Sequence, residues 1–264
     1  MKRRILVHGH RGARALWPEN TLPGFEYAIA AGADAIEMDV LVTSDDVVVV
    51  THDPKLKRTV WQPPGRRRMI RALTLAELQR FRHSGRRNAR FPRQKPLPAA
   101  GIPTLDQVLA LAGRGEFLFN IEIKSFPDKP RLAPPPRRFA ELIWQAIRRH
   151  NLARRVMVQS FDFRVLHAMR ELAPEIPRAA LYAGRPISFV ALAHEAGADI
   201  VAPHHALVTP RKVHAAHAAG FAVIPWTSNS RRVWKRLIAA QVDAIITDNP
   251  AGLAGYLKER GLRQ

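Results

Sequence analysis

Two carboxylate residues two positions apart interrupt an apolar run, and a third lies in a later run of the same kind. Glu37 and Asp39 lie within Ala35–Val42, and Glu122 precedes Lys124 by two positions. Side chains two apart on a β-strand share a face. Two carboxylates about 4 Å apart repel by about 4 kcal/mol at an effective dielectric near 20, so three that converge need a cation. Oxygen ligands favour Mg²⁺ or Ca²⁺.

Two further apolar runs each end in a histidine. His10 ends the run that begins at Ile5, and His52 ends the run that begins at Val47. Imidazole is the side chain best suited to moving protons near neutral pH. The alternative is a solvated Glu37–Asp39 pair at a strand end. Two histidines flanking the same carboxylates favour catalysis over that alternative. His8, two positions before His10, is interpreted as a hydrogen-bonded core residue.

Alternating apolar runs and Ala/Leu-rich stretches supply the elements that position these residues. The candidate strands are Ile5–His10, Ala35–Val42, Val47–His52, Phe117–Lys124, Val156–Ser160, Ala179–Tyr182, Ile200–Pro203, Ala222–Thr227 and Ala244–Thr247. The candidate helices are Leu22–Ala31, Leu105–Ala112, Arg137–His150, Phe163–Glu171, Ile187–Ala196, Pro210–Ala219, Arg231–Ala240 and Leu253–Arg260. Such alternation indicates a parallel sheet with helical crossovers.

The number of strands and the length of the chain favour one fold class. The second and third candidate strands are too close in sequence for a crossover helix, so Val47–His52 is predicted to pair antiparallel with the strand before it. The other eight strands predict a single (β/α)₈ barrel domain, residues 1–264. A barrel of this class takes roughly 250 residues, and its active site lies at the carboxyl ends of the strands.

An irregular, basic stretch separates the third and fourth candidate strands. Residues 54–103 contain fourteen Lys/Arg and one acidic residue, Glu77, and they include three consecutive arginines at 66–68 and a short predicted helix, Leu75–Phe81. The stretch follows the carboxyl end of a strand, which is the catalytic side of a barrel. We therefore predict a small insertion that acts as a lid over the site.

The overall charge of +20 indicates anionic partners. A role as a nucleic-acid or anionic-surface binding protein is disfavoured, because few aromatic residues interleave with the basic ones. No nucleic-acid partner is expected, peripheral contact with an anionic membrane remains open, and no oligomeric state is specified. The chain has no cysteine and so no disulfide. It has no membrane-spanning run and no signal peptide, which predicts a cytoplasmic protein.

A series of short motifs runs in order along nearly the whole chain. They are His10-Arg11-Gly12, Pro18-Glu19-Asn20-Thr21, Gly32-Ala33-Asp34, Glu37-Met38-Asp39-Val40, Thr43, His52-Asp53-Pro54, Thr74-Leu75-Ala76-Glu77-Leu78, Ile102-Pro103-Thr104-Leu105, Glu122-Ile123-Lys124, Gln159-Ser160-Phe161, Trp226-Thr227-Ser228-Asn229 and Thr247-Asp248-Asn249-Pro250. As an ordered set they resemble the glycerophosphodiester phosphodiesterases. One departure is Asp45-Asp46, where the family usually has Asp-Gly.

The resemblance implies a reaction and a site. The reaction is hydrolysis of a glycerophosphodiester to glycerol 3-phosphate and an alcohol, in which the substrate's own 2-hydroxyl attacks and water then opens a cyclic phosphate. The implied cofactor is one divalent ion, Mg²⁺ or Ca²⁺. The implied residues are the catalytic pair His10 and His52, the metal ligands Glu37, Asp39 and Glu122, the phosphate contacts Arg11 and Lys124, and Trp226.

Alternatives remain at two points. Trp226 either walls the glycerol pocket or fills the top of the barrel. The enzyme could also take larger lipids, as a lysophospholipase D or a sphingomyelinase D does, which would require an open apolar groove beside the lid.

Overall fold

The computed structural model describes residues 4–57, 61–62, 69–86 and 88–263. The three consecutive arginines at 66–68 lie outside these ranges.

The strands form a nearly closed barrel. They are β1 Leu6–Gly9, β2 Ala35–Val42, β3 Val48–Val50, β4 Trp61–Gln62, β5 Arg82–His83, β6 Leu118–Ile123, β7 Val156–Ser160, β8 Arg178–Tyr182, β9 Ile200–Pro203, β10 Ala222–Val223 and β11 Ala244–Thr247. Eight of them are parallel, in the order β10-β9-β8-β7-β6-β2-β1-β11. Backbone hydrogen bonds span the remaining gap, from Asp243 N–H to Val223 O and from Ile246 N–H to Pro225 O, both 3.0 Å. The predicted (β/α)₈ barrel is confirmed.

Helices follow most of the parallel strands. The α-helices are α1 Leu22–Ala30, α2 Leu75–Leu78, α3 Leu105–Leu109, α4 Pro136–Arg149, α5 Phe163–Leu172, α6 Phe189–Ala196, α7 Pro210–Ala218, α8 Arg231–Ala239 and α9 Pro250–Lys258. Short 3₁₀ helices lie at Ile70–Ala72, Ala110–Arg114, Pro130–Leu132, Ala153–Arg155 and His205–Leu207. Every helix in the described ranges is too short or too polar to span a bilayer.

Alternate residues of each strand face different surroundings. Ile36, Met38 and Val40 of β2 are fully buried in the large apolar core between the sheet and the helices. Glu37 and Asp39 lie between them, so they face the barrel interior. The opposite side of that interior is filled by small and medium apolar residues, Met157, Ala179, Leu181, Ala202, Ile224, Ala244 and Ile246. The interior is therefore polar on the β1–β2–β6 side.

Several element boundaries differ from the prediction. The strand predicted at Ala222–Thr227 forms a regular ladder with β9 only over Ala222–Val223. Hydrogen bonds to the β9 side continue beyond it, from Ile224 N–H to Val201 O at 2.9 Å and from Trp226 N–H to Pro203 O at 3.1 Å, and an isolated bridge joins Trp226 to His204. Pro225 has no N–H to donate to β11 on its other side. The last helix begins at Pro250 and not at Leu253. Asn249 starts it early, since its Oδ1 accepts from Gly252 N–H at 3.0 Å.

The insertion carries more structure than the sequence predicted. β4 and β5 pair as an antiparallel hairpin, and α2 ends at Leu78 and not at Phe81. A small apolar cluster joins the insertion to β2 and β3; it contains Leu41, Val49, Leu56, Ile70, Leu73, Leu78, Phe81 and Ile102. β3 pairs antiparallel with β2, as predicted.

Candidate active site

The three predicted carboxylates converge at the carboxyl ends of β2 and β6. The register places Asp39 directly beside Glu122, and Glu37 shares its face. Ligand oxygens of all three residues lie within 4.8 Å of one another. The three side chains belong to buried residues, exposed by 1% for Glu37, 0% for Asp39 and 8% for Glu122. The strand geometry thus forms one buried acidic cluster.

Two cationic side chains contact this cluster. Arg11 Nε lies 3.0 Å from Asp39 Oδ2. Lys124 Nζ lies 2.9 Å from Glu122 Oε1 and 3.5 Å from Asp39 Oδ1. The backbone N–H of Arg11 also donates to Glu37 Oε2 at 2.7 Å. Three carboxylates therefore face two cations, which leaves the cluster short of positive charge.

The pKa values of the two β2 carboxyls move in opposite directions. Burial, followed by the charges of Asp39 and Glu122, raises the pKa of Glu37 well above its usual range. Burial alone would also raise the pKa of Asp39, but Arg11 and Lys124 outweigh it and lower that pKa below its usual range. Three buried carboxylates within 4.8 Å of one another and only two paired cations leave room for one more cation. The all-oxygen donor set fits a hard divalent ion.

His10, which follows β1, is held by a carboxylate from the far end of the sequence. Its Nδ1 lies 2.6 Å from Asp248 Oδ1. Asp248 is itself fixed by Asn229, whose Nδ2 donates to Asp248 Oδ2 at 2.6 Å. Burial would raise the pKa of Asp248, but the hydrogen bond and charge of His10 lower it overall. Asp248 therefore orients the ring through Nδ1, and Nε2 takes no part in that contact.

His52, which follows β3, has the same kind of support. Its Nδ1 lies 2.9 Å from Asp53 Oδ1, and Asp53 Oδ2 pairs with Lys57 Nζ at 2.7 Å. The hydrogen bond from His52 is the main reason that the pKa of Asp53 lies below its usual range. In both histidines, therefore, Nδ1 bonds a carboxylate and Nε2 is the nitrogen that takes no part in that bond.

The turn after β1 carries backbone strain where it meets the cluster. Arg11 and Asn20 both adopt a positive φ, 50° and 58°, which is uncommon for residues other than glycine. Asn20 Nδ2 donates to Asp39 Oδ2 at 2.8 Å. Gly12 has a φ of 87°, and a Cβ there would lie 2.8 Å from the backbone of Gly24. The turn therefore requires glycine at this position.

Trp226 lies at the mouth of the barrel among other rings. Its Nε1 donates to Ala202 O at 2.8 Å. Its ring meets Phe161 edge-on at 5.6 Å and His204 at the same distance. Phe161 is the exposed large hydrophobic residue of the described chain, at 48%. The two rings form an apolar wall on the side of the mouth formed by the strand ends of β7 and β10.

Five residues that hydrogen-bond to the candidate site residues or to their partners could not be assigned a role from the sequence. They are Asn20, Asp53, Gln159, Asn229 and Asp248. Gln159 Nε2 donates to Glu37 Oε1 at 3.2 Å. Each of these residues lies within one of the ordered motifs, and that position was the available signal. Their partners are distant in sequence for all but Asp53, so only the fold reveals them.

Fold and site together describe a (β/α)₈ barrel with buried carboxylates and two cationic side chains at the carboxyl ends of its strands. Residues 10–252 match the glycerophosphoryl diester phosphodiesterase family. The chain belongs to that family and is an enzyme of that class.

Individual relatives agree over nearly their whole length. A glycerophosphodiester phosphodiesterase of Caldanaerobacter subterraneus subsp. tengcongensis is 30% identical over 98% of this chain and 100% of its own length. One of Bacillus altitudinis is 32% identical over 92% of this chain and 94% of its own. A crystal structure from Silicibacter pomeroyi DSS-3, to which the same activity is ascribed, superposes with a TM-score of 0.92 at 31% identity and covers 100% of this chain and 96% of its own.

Proposed function

We propose that the protein hydrolyses glycerophosphodiesters to glycerol 3-phosphate and an alcohol, with a divalent ion held by Glu37, Asp39 and Glu122. The observation that carries this proposal is the convergence of three buried carboxylates within 4.8 Å beside two cationic side chains. The activity for which the two bacterial relatives are named supports the substrate class.

The ion would be Mg²⁺ or Ca²⁺, and when bound it supplies Lewis-acid polarisation of a phosphate oxygen and a template for the substrate. Arg11 and Lys124 contact the same carboxylates, so their charge lies beside the position of that phosphate. They offset negative charge that develops at phosphorus. Trp226 walls the glycerol side of the mouth.

His10 and His52 act as a pair. Nε2 of one ring takes the proton from the 2-hydroxyl of the glycerol, whose oxygen then attacks phosphorus. Nε2 of the other ring gives a proton to the leaving alcohol as the P–O bond breaks. The resulting cyclic phosphate is opened by water, with the two proton transfers reversed. Asp248 and Asp53 keep each ring in the required tautomer.

The insertion, residues 54–103, serves as a lid of a single barrel domain, residues 1–264. Its apolar cluster includes Leu41 and Val49 of the barrel strands, so the described part of the insertion packs on the barrel. Its basic surface also suits contact with an anionic membrane that supplies substrate.

A cavity between the barrel and the insertion bears on the size of the substrate. Its volume is about 360 Å³, and charged residues such as Arg14, Lys55 and Arg86 line it. These charges interrupt the apolar part of the lining, which consists of Pro18, Val50, Leu56, Trp61 and Ala89. A long acyl chain requires a continuous apolar groove, so the mixed lining favours a small polar alcohol over the lipid of a lysophospholipase D or sphingomyelinase D substrate.

The test measures release of glycerol 3-phosphate from a panel of diesters, after chelation and after addition of Mg²⁺ or Ca²⁺. Chelation should abolish turnover and either ion should restore it. The ion should also raise the melting temperature, because it binds the folded state. Glu37→Gln should weaken both effects.

The same assay tests the histidines. His10→Ala and His52→Ala should each lower kcat by about 10²- to 10⁴-fold, with melting temperatures close to the parent's. His214→Ala, which removes an exposed histidine of α7, is the control. Full activity of the chelated enzyme, or parent-like kcat in either histidine variant, contradicts the proposal.

A further inference from the structure

The cavity of about 360 Å³ between the barrel and the insertion, here called the insertion cavity, adjoins the acidic cluster. Its barrel wall includes Asn20 and Asp53. Asn20 donates to Asp39 at 2.8 Å, and Asp53 holds His52 at 2.9 Å. Asn20 therefore lies between the cavity and a carboxylate of the cluster, and Asp53 lies between the cavity and a proposed catalytic histidine. A diester bound at the cluster has room there for the alcohol on one side of its phosphorus.

Charge in the insertion cavity is unbalanced. Among the described residues of its lining are two carboxylates, and both already have cationic partners. Glu19 pairs with Arg14 at 2.6 Å and with Arg11 at 3.0 Å, and Asp53 pairs with Lys57 at 2.7 Å.

Two further cations of the lining, Lys55 and Arg86, form no ion pair with another described residue. Both are exposed to solvent, and both belong to the insertion. The cavity wall that they contribute is therefore positively charged without internal compensation.

We propose that the insertion cavity receives the leaving alcohol and selects alcohols that carry a negative charge of their own, such as a second phosphate. This inference rests on the proposed function. Lys55 and Arg86 are the specificity-determining residues, because neither forms an ion pair with a described carboxylate of the cavity.

The rings of the cavity favour this choice over a quaternary ammonium group. A cationic head group needs several aromatic faces around it. The described rings of the lining are Trp61 and His83, and they pack edge-on against each other at 5.7 Å. A cation placed there would meet Lys55 and Arg86 without an aromatic cage to offset the repulsion.

Three diesters of glycerol 3-phosphate with the same two-carbon alcohol test the proposal. The alcohol ends in a hydroxyl, in a phosphate monoester or in a trimethylammonium group, so that only the terminal group differs. We expect kcat/KM at low salt to be about 10-fold higher for the phosphate-ended diester than for the hydroxyl-ended one, since two exposed charge contacts add up to about this factor. The trimethylammonium-ended diester should be the poorest.

Lys55→Gln combined with Arg86→Gln should abolish the preference for phosphate, so that kcat/KM for the phosphate-ended diester falls by about 10-fold relative to that for the hydroxyl-ended one. The matched control is Arg232→Gln with Lys235→Gln, which removes the same two charges from the exposed face of α8. The control should keep the preference, which separates a local contact from the general attraction of a +20 protein. Lys55→Glu with Arg86→Glu should favour the trimethylammonium-ended diester.

The outcomes are separable. A parent that turns over the hydroxyl-ended diester without favouring the phosphate-ended one refutes the cavity assignment alone. The same conclusion follows if both double variants to glutamine lose the preference equally. A parent that releases no glycerol 3-phosphate from any of the three diesters refutes the proposed function, and the cavity assignment with it.

Discussion

At the scale of single residues, each proposed reactive group is held by a side chain that does no chemistry itself. Asp248 holds His10, Asp53 holds His52, and Asn20 holds Asp39. A ring that donates from Nδ1 has a defined tautomer, so its Nε2 is ready to accept a proton. The value of such a partner lies in orientation and charge, which makes it testable apart from the reactive group.

Asp248→Asn should lower kcat by about 10²-fold and change KM little, because the amide no longer stabilises a protonated His10. The shape of the side chain is nearly unchanged, so the melting temperature should stay close to the parent's. The pH profile of kcat should shift as well, which a purely structural role would not cause. Asp106→Asn removes a half-buried carboxylate paired with Arg149 and His150 and is the control. A parent-like kcat and pH profile in Asp248→Asn would show that the contact is incidental.

His8 permits a prediction about stability. It is 1% exposed, and its Nδ1 lies 3.5 Å from Asn120 Nδ2. Burial lowers the pKa of His8 from 6.5 to about 4. Below pH 6.5 the unfolded chain binds a proton that the folded protein binds only near pH 4. Stability is therefore fully present above pH 6.5 and is lost as the pH falls, by about 3 kcal/mol in all at about 1.4 kcal/mol per pKa unit.

Urea unfolding of the metal-free protein between pH 7.5 and 4 measures this loss. His8→Leu should show a shallower decline in the free energy of unfolding than the parent, because the variant has no proton to gain at that position. The parent's other titrating groups are common to both proteins and cancel in the comparison. His214→Leu is the control. Parallel curves for His8→Leu and the parent would refute the buried neutral state of His8.

At the scale of elements, hydrophobic periodicity predicted the parallel strands and the helices between them, and the structure confirms them. The same periodicity missed the β4–β5 hairpin, because two-residue strands carry no alternation to detect. It also placed Ala222–Thr227 in one strand, whereas the regular ladder covers only Ala222–Val223.

The candidate site also contains residues whose positions could be predicted from the sequence and residues whose roles could not. Glu37 with Asp39, and Glu122 with Lys124, could be predicted because spacing on a strand fixes their shared face. Asn20, Asp248 and Asn229 could not be assigned roles, because they lie in loops whose approach depends on the closed barrel. Loop conformation is a tertiary property, and the strand pattern contains no information about it.

The turn between β1 and α1 is the element on which the cluster most depends. Gly12→Ala should destabilise the protein by about 1–3 kcal/mol, because alanine disfavours a φ of 87° and its Cβ would lie 2.8 Å from Gly24. Activity should fall more than stability alone explains, since the neighbouring Arg11 N–H bonds Glu37. Gly113→Ala is the control, because a Cβ there meets nothing within 4 Å. Thermal unfolding and kcat are measured for both variants. Equal melting temperatures and equal kcat values for Gly12→Ala and Gly113→Ala would contradict this prediction.

At the scale of the whole molecule, the charge of +20 acts at long range while the proposed chemistry is buried. Salt screens charges over about 10 Å at 0.1 M. For an anionic diester, kcat/KM should therefore fall as salt rises, whereas kcat should stay nearly constant, because steering affects association and not the bond-breaking step. A zwitterionic diester should depend on salt more weakly. Equal salt profiles for both substrates would exclude steering.

The pairing of β1 with β11 has a consequence for biosynthesis. His10 N–H donates to Thr247 O at 2.8 Å, and the imidazole of His10 rests against Asp248. A ribosome delivers residue 10 more than two hundred residues before residue 248. Throughout that interval the nascent chain has an unpaired edge at β1 and a histidine without its carboxylate. Catalytic competence should therefore arise in one late step, when β11 leaves the exit tunnel and closes the ring.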